Sequence, residues 1–142
     1  MTAPAEGIEI VVGVDDSPNS QAALEWAARD AVLRKAPLAI LYAAAVSVST
    51  WPIAPVPTGI VEFQQEIGRD ILTDAGNSAQ NLTQGSVPVS THFAVGTPAT
   101  ALIEASKTAA MVVVGSRGRG AFARVVLGSV STGLLHRAHC PV

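Results

Sequence analysis

The stretch IEIVVGVDDSP, residues 8–18, decides the fold class. Its first part, Ile8–Val14, is nearly continuously apolar, which is typical of a parallel strand that is buried on both faces. Ser17 and Pro18 follow, and serine before proline is typical of a helix N-cap and the first helical residue. A buried strand that leads at once into a helix predicts an α/β protein with a parallel sheet.

The rest of the chain continues this alternation. Further strands are predicted over Leu38–Val46, Val87–Val95 and Ala110–Val114; the first and last are expected to be fully buried, and the middle one an edge strand. Helices are predicted from Ser17 to about Lys35, over 59–84, over 99–108 and over Gly128–His136. The segment SVSTWPIAPVPTG, residues 47–59, predicts an irregular loop or lid. This order predicts one domain over residues 1–142, with a doubly wound, mostly parallel sheet.

Apolar residues at helical intervals predict which faces of the first two helices are buried. The first helix is expected to bury Ala22, Ala23, Trp26, Ala27 and Val32. The second is expected to bury Ile60, Phe63, Ile67, Ile71, Ala75 and Leu82.

Composition narrows the function class. Hydrophobic residues make up 49% of the chain and charged residues 14%, which excludes a disordered protein. Aromatic residues are only 4% and the net charge is −2, whereas a nucleic-acid-binding protein is usually basic with aromatics that stack on bases. No apolar run approaches the ~20 residues that span a bilayer. With a single cysteine and no signal-peptide pattern, the sequence predicts a cytoplasmic protein that binds neither nucleic acid nor membrane.

Charge is unevenly distributed along the chain. Residues 1–104 hold all eleven acids and four bases, whereas residues 105–142 hold five bases and no acid. The C-terminal part is therefore expected to attract anions.

That basic part contains GSRGRGAFARVVLGSVS, residues 115–131, for which three phosphate-loop templates compete. A P-loop requires a lysine after its last glycine, and residues 108–142 contain no lysine. The run from Gly118 to Ala123 matches the dinucleotide fingerprint G-x-G-x-x-A. That fingerprint, however, follows the first strand and needs an acid about twenty residues later, and no acid follows Glu104. Both templates fit poorly.

The third template fits. Gly115, Gly118, Gly128 and Ser129 form the pattern G-2x-G-9x-G-S, and the chain resembles the ATP-binding branch of the universal stress protein family. The resemblance extends to VVGVDDS after residue 10, to GTPATALIEAS at residues 96–106 and to HCPV at the end. It implies a Rossmann-like fold, similar to the adenine nucleotide alpha-hydrolases, with a five-stranded sheet, or four strands in this chain.

The resemblance also implies a nucleotide site. Asp15 and the backbone of Ala43 would meet the adenine, and the ribose and phosphates would lie on residues 114–118 and 128–131. Physical reasons support this assignment, because glycines at 115 and 118 permit an anion nest and a helix that starts at 128–129 attracts anions. Serine hydroxyls and two arginines would add donors and charge. The expected nucleotide-binding residues are Gly13, Val14, Asp15, Ala43, Val114, Gly115, Ser116, Arg117, Gly118, Arg119, Gly128, Ser129, Val130 and Ser131.

Structural alternatives remain open beside these assignments. The glycine loop could be a tight connection, and Asp15 could cap the first helix with Asp16 or Ser17. His136, His139 and Cys140 supply only three ligands across a helix end, so a structural role is favoured over a metal site. No metal site made by protein alone is predicted, although Asp15 and Asp16 could hold Mg²⁺ through bound phosphates.

Three functions follow. The first is an ATP-binding regulator of stress or growth that is not an efficient enzyme, with ATP, and optionally Mg²⁺, as ligand. The second is a slow ATPase or another phosphate-handling enzyme on the same fold. The third is a dimerisation module without a ligand.

The resemblance makes a homodimer or a tandem-domain partner the expected protein partner. Family members continue past the equivalent of Cys140-Pro141-Val142 in a final strand that commonly pairs two copies. The expectation is therefore that this chain is one half, the N-terminal half, of a longer protein, or is cut at that strand, which leaves Ala110–Val114 at an open edge.

Overall fold

The computed structural model describes residues 8–44, 58–116 and 128–142. Strands and helices alternate along them in the order β1 Ile10–Gly13, α1 Pro18–Arg34, β2 Leu38–Ala44, α2 Thr58–Thr83, β3 Val89–Val95, α3 Pro98–Ser106, β4 Met111–Val113 and α4 Ser129–Arg137. The four strands form one sheet in the order β3-β2-β1-β4, and every pairing in it is parallel. The predicted doubly wound α/β fold is therefore confirmed, with four strands in the described part of the chain.

The strands are shorter than the sequence predicts at most of their ends. Of the predicted second strand, residues 45 and 46 lie outside the described residues. β3 is an edge strand, as predicted, but most of its residues are exposed on both faces, including His92 and Phe93. The prediction that Ala110–Val114 is fully buried is wrong. β4 also lies at an edge of the described sheet, and only Val112 is buried in it, because β4 has a neighbour on one side only.

Helix α1 begins and ends as the sequence predicts. Ser17 is its N-cap and accepts a hydrogen bond from the Ser20 amide, with Pro18 in the first turn. Lys35 ends the helix in the left-handed conformation, with φ of 54°. The predicted buried face is only partly correct. Ala22 and Val32 are exposed, and Trp26 keeps 52% of its surface exposed, whereas Leu24, Ala28 and Ala31 are buried.

Helix α2 also matches the predicted range, but its buried face is rotated from the predicted one. Phe63 is 62% exposed and Leu82 is 36% exposed. The side chain of Ile60 lies outside the described residues. Small side chains face the sheet instead, since Gly68 approaches the rings of Tyr42 and Phe93 so closely that a Cβ would overlap them. The buried residues of this face are Gly68, Leu72, Ala75, Ala79 and Thr83.

The sheet has an apolar core on each face because successive strand residues point to opposite sides. On one face, Ile10, Val12 and Ile40 pack against α1 and α2. On the other, Val11 and Val112 pack against Leu102 of α3 and Leu134 of α4. This arrangement leaves the carboxyl ends of the strands, with the loops that follow them, as the edge where a ligand can bind.

Glycines precede the first turns of α3 and α4. Gly96 precedes α3 with φ of 135°, a conformation that favours glycine, and Thr97 caps the helix ahead of Pro98. The Gly-Thr-Pro sequence thus forms the turn into α3. α4 begins after Gly128, which is its N-cap.

No helix in the described part of the chain is long and apolar enough to cross a membrane. The predicted loop at 47–59 lies mainly outside the described residues, and its last two residues belong to α2.

Candidate functional site

The strand order creates a switch point between β1 and β4, because the chain leaves β1 toward β2 and β3 on one side and reaches β4 on the other. Val12 pairs with Val113, so Val14 and Gly115 follow at the same sheet edge two residues later. Gly13 pairs with Leu41, which places Asp15 and Ala43 two residues beyond that pair. Residues that the sequence distributes over three segments therefore meet at one edge, where ligands bind in this class of fold.

Asp15 forms a tight turn between β1 and α1. Its carboxylate Oδ1 accepts a hydrogen bond of 2.8 Å from the Ser17 amide. Its amide donates to Ser20 Oγ at 2.9 Å, and Ser20 Oγ lies 3.1 Å from the Asp15 carbonyl oxygen. The capping side chain of α1 is Ser17 and not Asp15. Asp15 is half-buried, so the turn holds a carboxylate at the sheet edge in a fixed position.

Close packing explains two of the glycines at the switch point. A Cβ at Gly13 would lie 2.9 Å from Leu102 Cδ1 and 3.3 Å from Val114 Cγ1. A Cβ at Gly115 would lie 2.9 Å from the backbone of Asn19, in the first turn of α1. An anion nest at Gly115 was expected because glycine can adopt positive φ, but Gly115 does not adopt it. The described glycines with positive φ are Gly85 and Gly96, so Gly115 is required by its approach to α1.

Helix α4 begins beside Gly115 and Ser116, the first two residues of the glycine-rich loop, which we call the loop root. The Gly128 amide donates a hydrogen bond of 2.6 Å to the Ser116 carbonyl oxygen. Because the N-cap is a glycine, it offers no side-chain acceptor to the first turn. The amides of Ser129, Val130 and Ser131 have no intrahelical acceptor, as in the first turn of any helix. Ser129 is exposed, so this end of α4 can meet an anion from solvent.

The Ser131 side chain links α4 to the loop root by hydrogen bonding. It is 6% exposed, and its Oγ lies 3.0 Å from the carbonyl oxygens of both Gly115 and Ser116. A hydroxyl group has one proton to donate, so these two carbonyls share it. The expected role of this hydroxyl as a phosphate donor therefore competes with bonds inside the protein.

Three of the expected site residues, Arg117, Gly118 and Arg119, lie outside the described residues. The structure places the others at the same sheet edge, on the ends of β1, β2 and β4 and on the first turn of α4. Ala43 is half-buried and pairs with Ala94 of β3. Its place beside Asp15 follows from the register of β1 and β2.

A groove of about 550 Å³ runs from the loop root along the outer side of β4. One end of the groove is polar and is lined by Gly115 and Ser116 of the loop root and by Ser131 of α4. The remaining lining is mainly apolar. It consists of Asn19, Ala22, Ala23, Trp26, Met111, Val113, Val114, Leu135 and Val142. Trp26, Leu135 and Val142 are 52%, 60% and 46% exposed, so an apolar surface lies open beside an edge strand.

The chain end enters this region next to β4. The Val112 amide donates a hydrogen bond of 3.0 Å to the Pro141 carbonyl oxygen, and the His139 amide donates to the buried Ser106 Oγ at 3.0 Å. Burial raises the pKa of the Cys140 thiol, and a hydrogen bond with the Val112 backbone partly offsets this effect. Over residues 8–44, 58–116 and 128–142, no three side chains of histidine, cysteine, aspartate or glutamate cluster as a metal site would require.

Sequence reasoning missed two residues that shape the site. Ser20 is buried and bonds to both the amide and the carbonyl of Asp15, and Asn19 supplies the backbone surface under Gly115. The serine could have been noticed from its place three residues after the N-cap Ser17. The contact of Asn19 with Gly115 joins positions 96 residues apart in sequence, and no local pattern indicates it.

Comparison with known proteins gives a consistent result. Residues 9–142 match the model of the universal stress protein family. Among similar sequences, a universal stress protein of Mycobacterium tuberculosis is 42% identical over 145 residues, and one of Mycobacterium bovis is 40% identical over 144 residues. Each match covers 100% of this chain but 48% and 49% of the relative, respectively. The chain thus spans about half the length of the curated relatives it matches.

Solved structures agree on the fold. The universal stress protein UspA from Lactobacillus plantarum superposes with a TM-score of 0.84 at 24% identity, over 97% of both chains. A universal stress protein solved in complex with cAMP has a TM-score of 0.71 at 26% identity, over 97% of this chain and 95% of the other. One from Archaeoglobus fulgidus, solved in complex with dAMP, has a TM-score of 0.66 at 21% identity, over 95% and 94% of the two chains.

Proposed function

The chain belongs to the universal stress protein family, and we propose that it binds an adenine nucleotide, with ATP as the main ligand. The observation that carries the proposal is the meeting of three features at the switch point. These are the carboxylate of Asp15, the loop root at Gly115 and Ser116, and the first turn of α4. A carboxylate can accept a hydrogen bond from the adenine amino group, and helix amides can bind phosphates.

In this proposal the two ends of the nucleotide contact different elements. Asp15 and the backbone of Ala43 bind the adenine, with Gly13 and Val14 beside it. Residues 114–118 and 128–131 bind the ribose and phosphates, Ser131 through its backbone amide. Arg117, Arg119 and the rest of the acid-free segment 105–142 supply positive charge. The two relatives solved with cAMP and dAMP support an adenine nucleotide as the ligand class. Mg²⁺ would join through the phosphates.

We further propose a binding and regulatory role in which nucleotide occupancy changes the stability or partners of the protein. A ligand that binds only the folded state stabilises it by an amount that rises with the logarithm of the ligand concentration relative to its dissociation constant. The protein can thereby report nucleotide level without consuming the nucleotide. The site described above provides hydrogen-bond donors and a carboxylate. A role that consists of binding a nucleotide requires such groups.

We also propose that the chain is half of a longer, tandem protein and that the groove beside β4 receives a strand. The hydrogen bond from Val112 to Pro141 starts a pairing along the open edge of β4. The apolar lining of the groove fits β-branched side chains of a strand. The sequence that follows residue 142 in a protein of the length of its relatives would supply that strand.

ATP binding is tested by thermal unfolding and titration calorimetry. ATP with Mg²⁺ at about 100 times its dissociation constant is expected to add about 2.7 kcal/mol of stability. For a chain of this size that is a rise in melting temperature on the order of 5 to 10 °C. An unchanged melting temperature at millimolar ATP, with no heat of binding, would contradict the proposal. Release of phosphate by the pure protein would instead favour a slow ATPase.

The adenine contact is tested with Asp15→Asn. The amide side chain keeps an oxygen for the Ser17 amide but replaces the other carboxylate oxygen with a donor, which cannot accept a hydrogen bond from the adenine amino group. The affinity for adenosine and ATP is expected to fall about tenfold or more, whereas pyrophosphate affinity stays unchanged or rises. Asp70→Asn, an exposed change on α2, is the control. Equal losses for ATP and pyrophosphate would assign Asp15 a structural role only.

A further inference from the structure

We infer that the Ser131 hydroxyl is a positioning group for the anion site: it orients the Gly115–Ser116 peptide unit at the start of the loop and does not itself bind phosphate. The inference rests on the proposed function, because it concerns how that same site is held ready. It starts from the two hydrogen bonds that join this hydroxyl to the carbonyl oxygens of Gly115 and Ser116.

The geometry of the peptide bond gives these contacts their consequence. In a trans peptide unit the carbonyl and the following N–H point in nearly opposite directions. The described chain contains no cis peptide bond. When Ser131 draws the Gly115 carbonyl toward α4, the Ser116 amide of the same peptide unit must point away from α4. The hydroxyl therefore orients a donor that it does not contact.

The same bonds also remove two carbonyl oxygens from the site. A carbonyl oxygen carries a partial negative charge, so one that faced a phosphate would repel it. The Ser116 carbonyl is held from two sides, by Ser131 Oγ at 3.0 Å and by the Gly128 amide at 2.6 Å. Both donors belong to the N-terminal end of α4. The N-terminal end of α4 thus occupies these loop carbonyl oxygens with its own donors.

Burial supports a positioning role over a direct contact. Ser131 is 6% exposed, whereas Ser129 in the same turn is exposed. To donate to a phosphate, the Ser131 hydroxyl would have to release both carbonyls at the cost of a buried hydrogen bond. The neighbouring Thr132 offers a matched comparison, because its hydroxyl bonds at 2.9 Å to the Gly128 carbonyl of its own helix and not to the loop.

The test compares Ser131→Ala, Ser131→Thr and Thr132→Ala in the nucleotide-free chain and in titrations with ATP, adenosine and pyrophosphate. Before any ligand is added, Ser131→Ala is expected to shift the amide NMR signal of Ser116 and to speed hydrogen exchange of the Gly128 amide. Loss of a buried hydrogen bond predicts about a tenfold weaker affinity for ATP and pyrophosphate, with adenosine unchanged. Ser131→Thr restores the hydroxyl and is expected to recover both properties, and Thr132→Ala to leave them unchanged.

Each other outcome is informative. If Ser131→Ala weakens ATP binding but leaves the nucleotide-free signals of Ser116 and Gly128 unmoved, the hydroxyl contacts phosphate directly and the inference is overturned. Unchanged signals with unchanged affinity would overturn it as well. If the wild-type chain binds neither ATP nor pyrophosphate, the proposed function is wrong, and so is the inferred role of Ser131 in ligand binding. The exchange measurement then still decides whether Ser131 holds the loop.

Discussion

At the scale of single residues, the site depends on small side chains that allow main chains to approach each other. Gly13 packs closely against the side chain of Leu102, and Gly115 packs closely against the backbone of Asn19. The first contact joins β1 to α3, and the second joins the end of β4 to the first turn of α1, where the nucleotide is proposed to bind. A glycine of the sequence motif therefore has a packing role that exists with or without a ligand.

Gly115→Ala is expected to destabilise the chain by about 1 to 3 kcal/mol, because the new Cβ would press on the backbone of Asn19 and not on a flexible side chain. Gly133→Ala in α4 is the matched control. Its Cβ would meet the nearest atoms at an ordinary 3.7 Å, and alanine favours a helix by up to about 1 kcal/mol over glycine. Urea unfolding of both variants without nucleotide is expected to give changes of opposite sign. An equal stability for Gly115→Ala and wild type would show that the loop moves freely away from α1.

At the scale of elements, α1 has two apolar faces with different partners. One face, with Leu24 and Ala28, packs on the sheet and α2. The other, with Ala22 and Trp26, lines the groove beside β4. A helix with apolar residues on both faces shows no narrow periodic stripe. For this reason the sequence pattern selected Trp26 for the core and missed Leu24.

The two faces of α1 predict different costs of truncation. Leu24→Ala, at a residue that is 2% exposed, is expected to cost about 2 to 5 kcal/mol. Trp26→Ala, at a residue that is 52% exposed, is expected to cost about 1 kcal/mol or less in the 142-residue chain. Denaturant unfolding followed by circular dichroism measures both. Equal and large losses of stability in the two variants would show that Trp26 is buried in the core.

At the scale of the whole molecule, β4 forms an open edge of the described sheet with apolar surroundings. β4 is covered on one side by β1, and its other side borders the groove that contains Leu135 and Val142. Exposed strand edges with apolar surroundings tend to pair with further strands. The proposed strand after residue 142 would cover this edge, in the same chain or between two copies.

Extending the chain past Val142 with the proposed strand is expected to raise the melting temperature by at least about 5 °C and to reduce concentration-dependent association. Leu135→Glu provides the sharper comparison. Leu135 is 60% exposed, so this change should be tolerated by the 142-residue chain but should destabilise the extended one, whose strand would bury the new carboxylate. Leu33→Glu, at an 81% exposed residue outside the groove, is the control. A stable dimer of the 142-residue chain at every concentration in sedimentation experiments would show that another surface joins the subunits.

The type and order of the helices and strands could be predicted from local sequence patterns. Apolar runs such as Ile8–Val14 and local signals such as Ser17-Pro18 and Gly96-Thr-Pro98 act over a few residues, so each predicts its strand, cap or turn without knowledge of the rest. Alternation of strands and helices then restricts the sheet to parallel arrangements. The motif of glycines and Ser129 indicated the family and the expected ligand.

Which faces are buried and what the site residues contact depend on tertiary packing, and local sequence patterns do not report it. The exposure of Trp26, the contact of Gly115 with Asn19 and the bonds from Ser131 to the loop each join segments that are distant in sequence or depend on which neighbour covers a face. Such contacts are set by the packing of α1, β4 and α4 against one sheet. Local patterns report how apolar a residue is, but which atoms it meets depends on the elements that pack beside it.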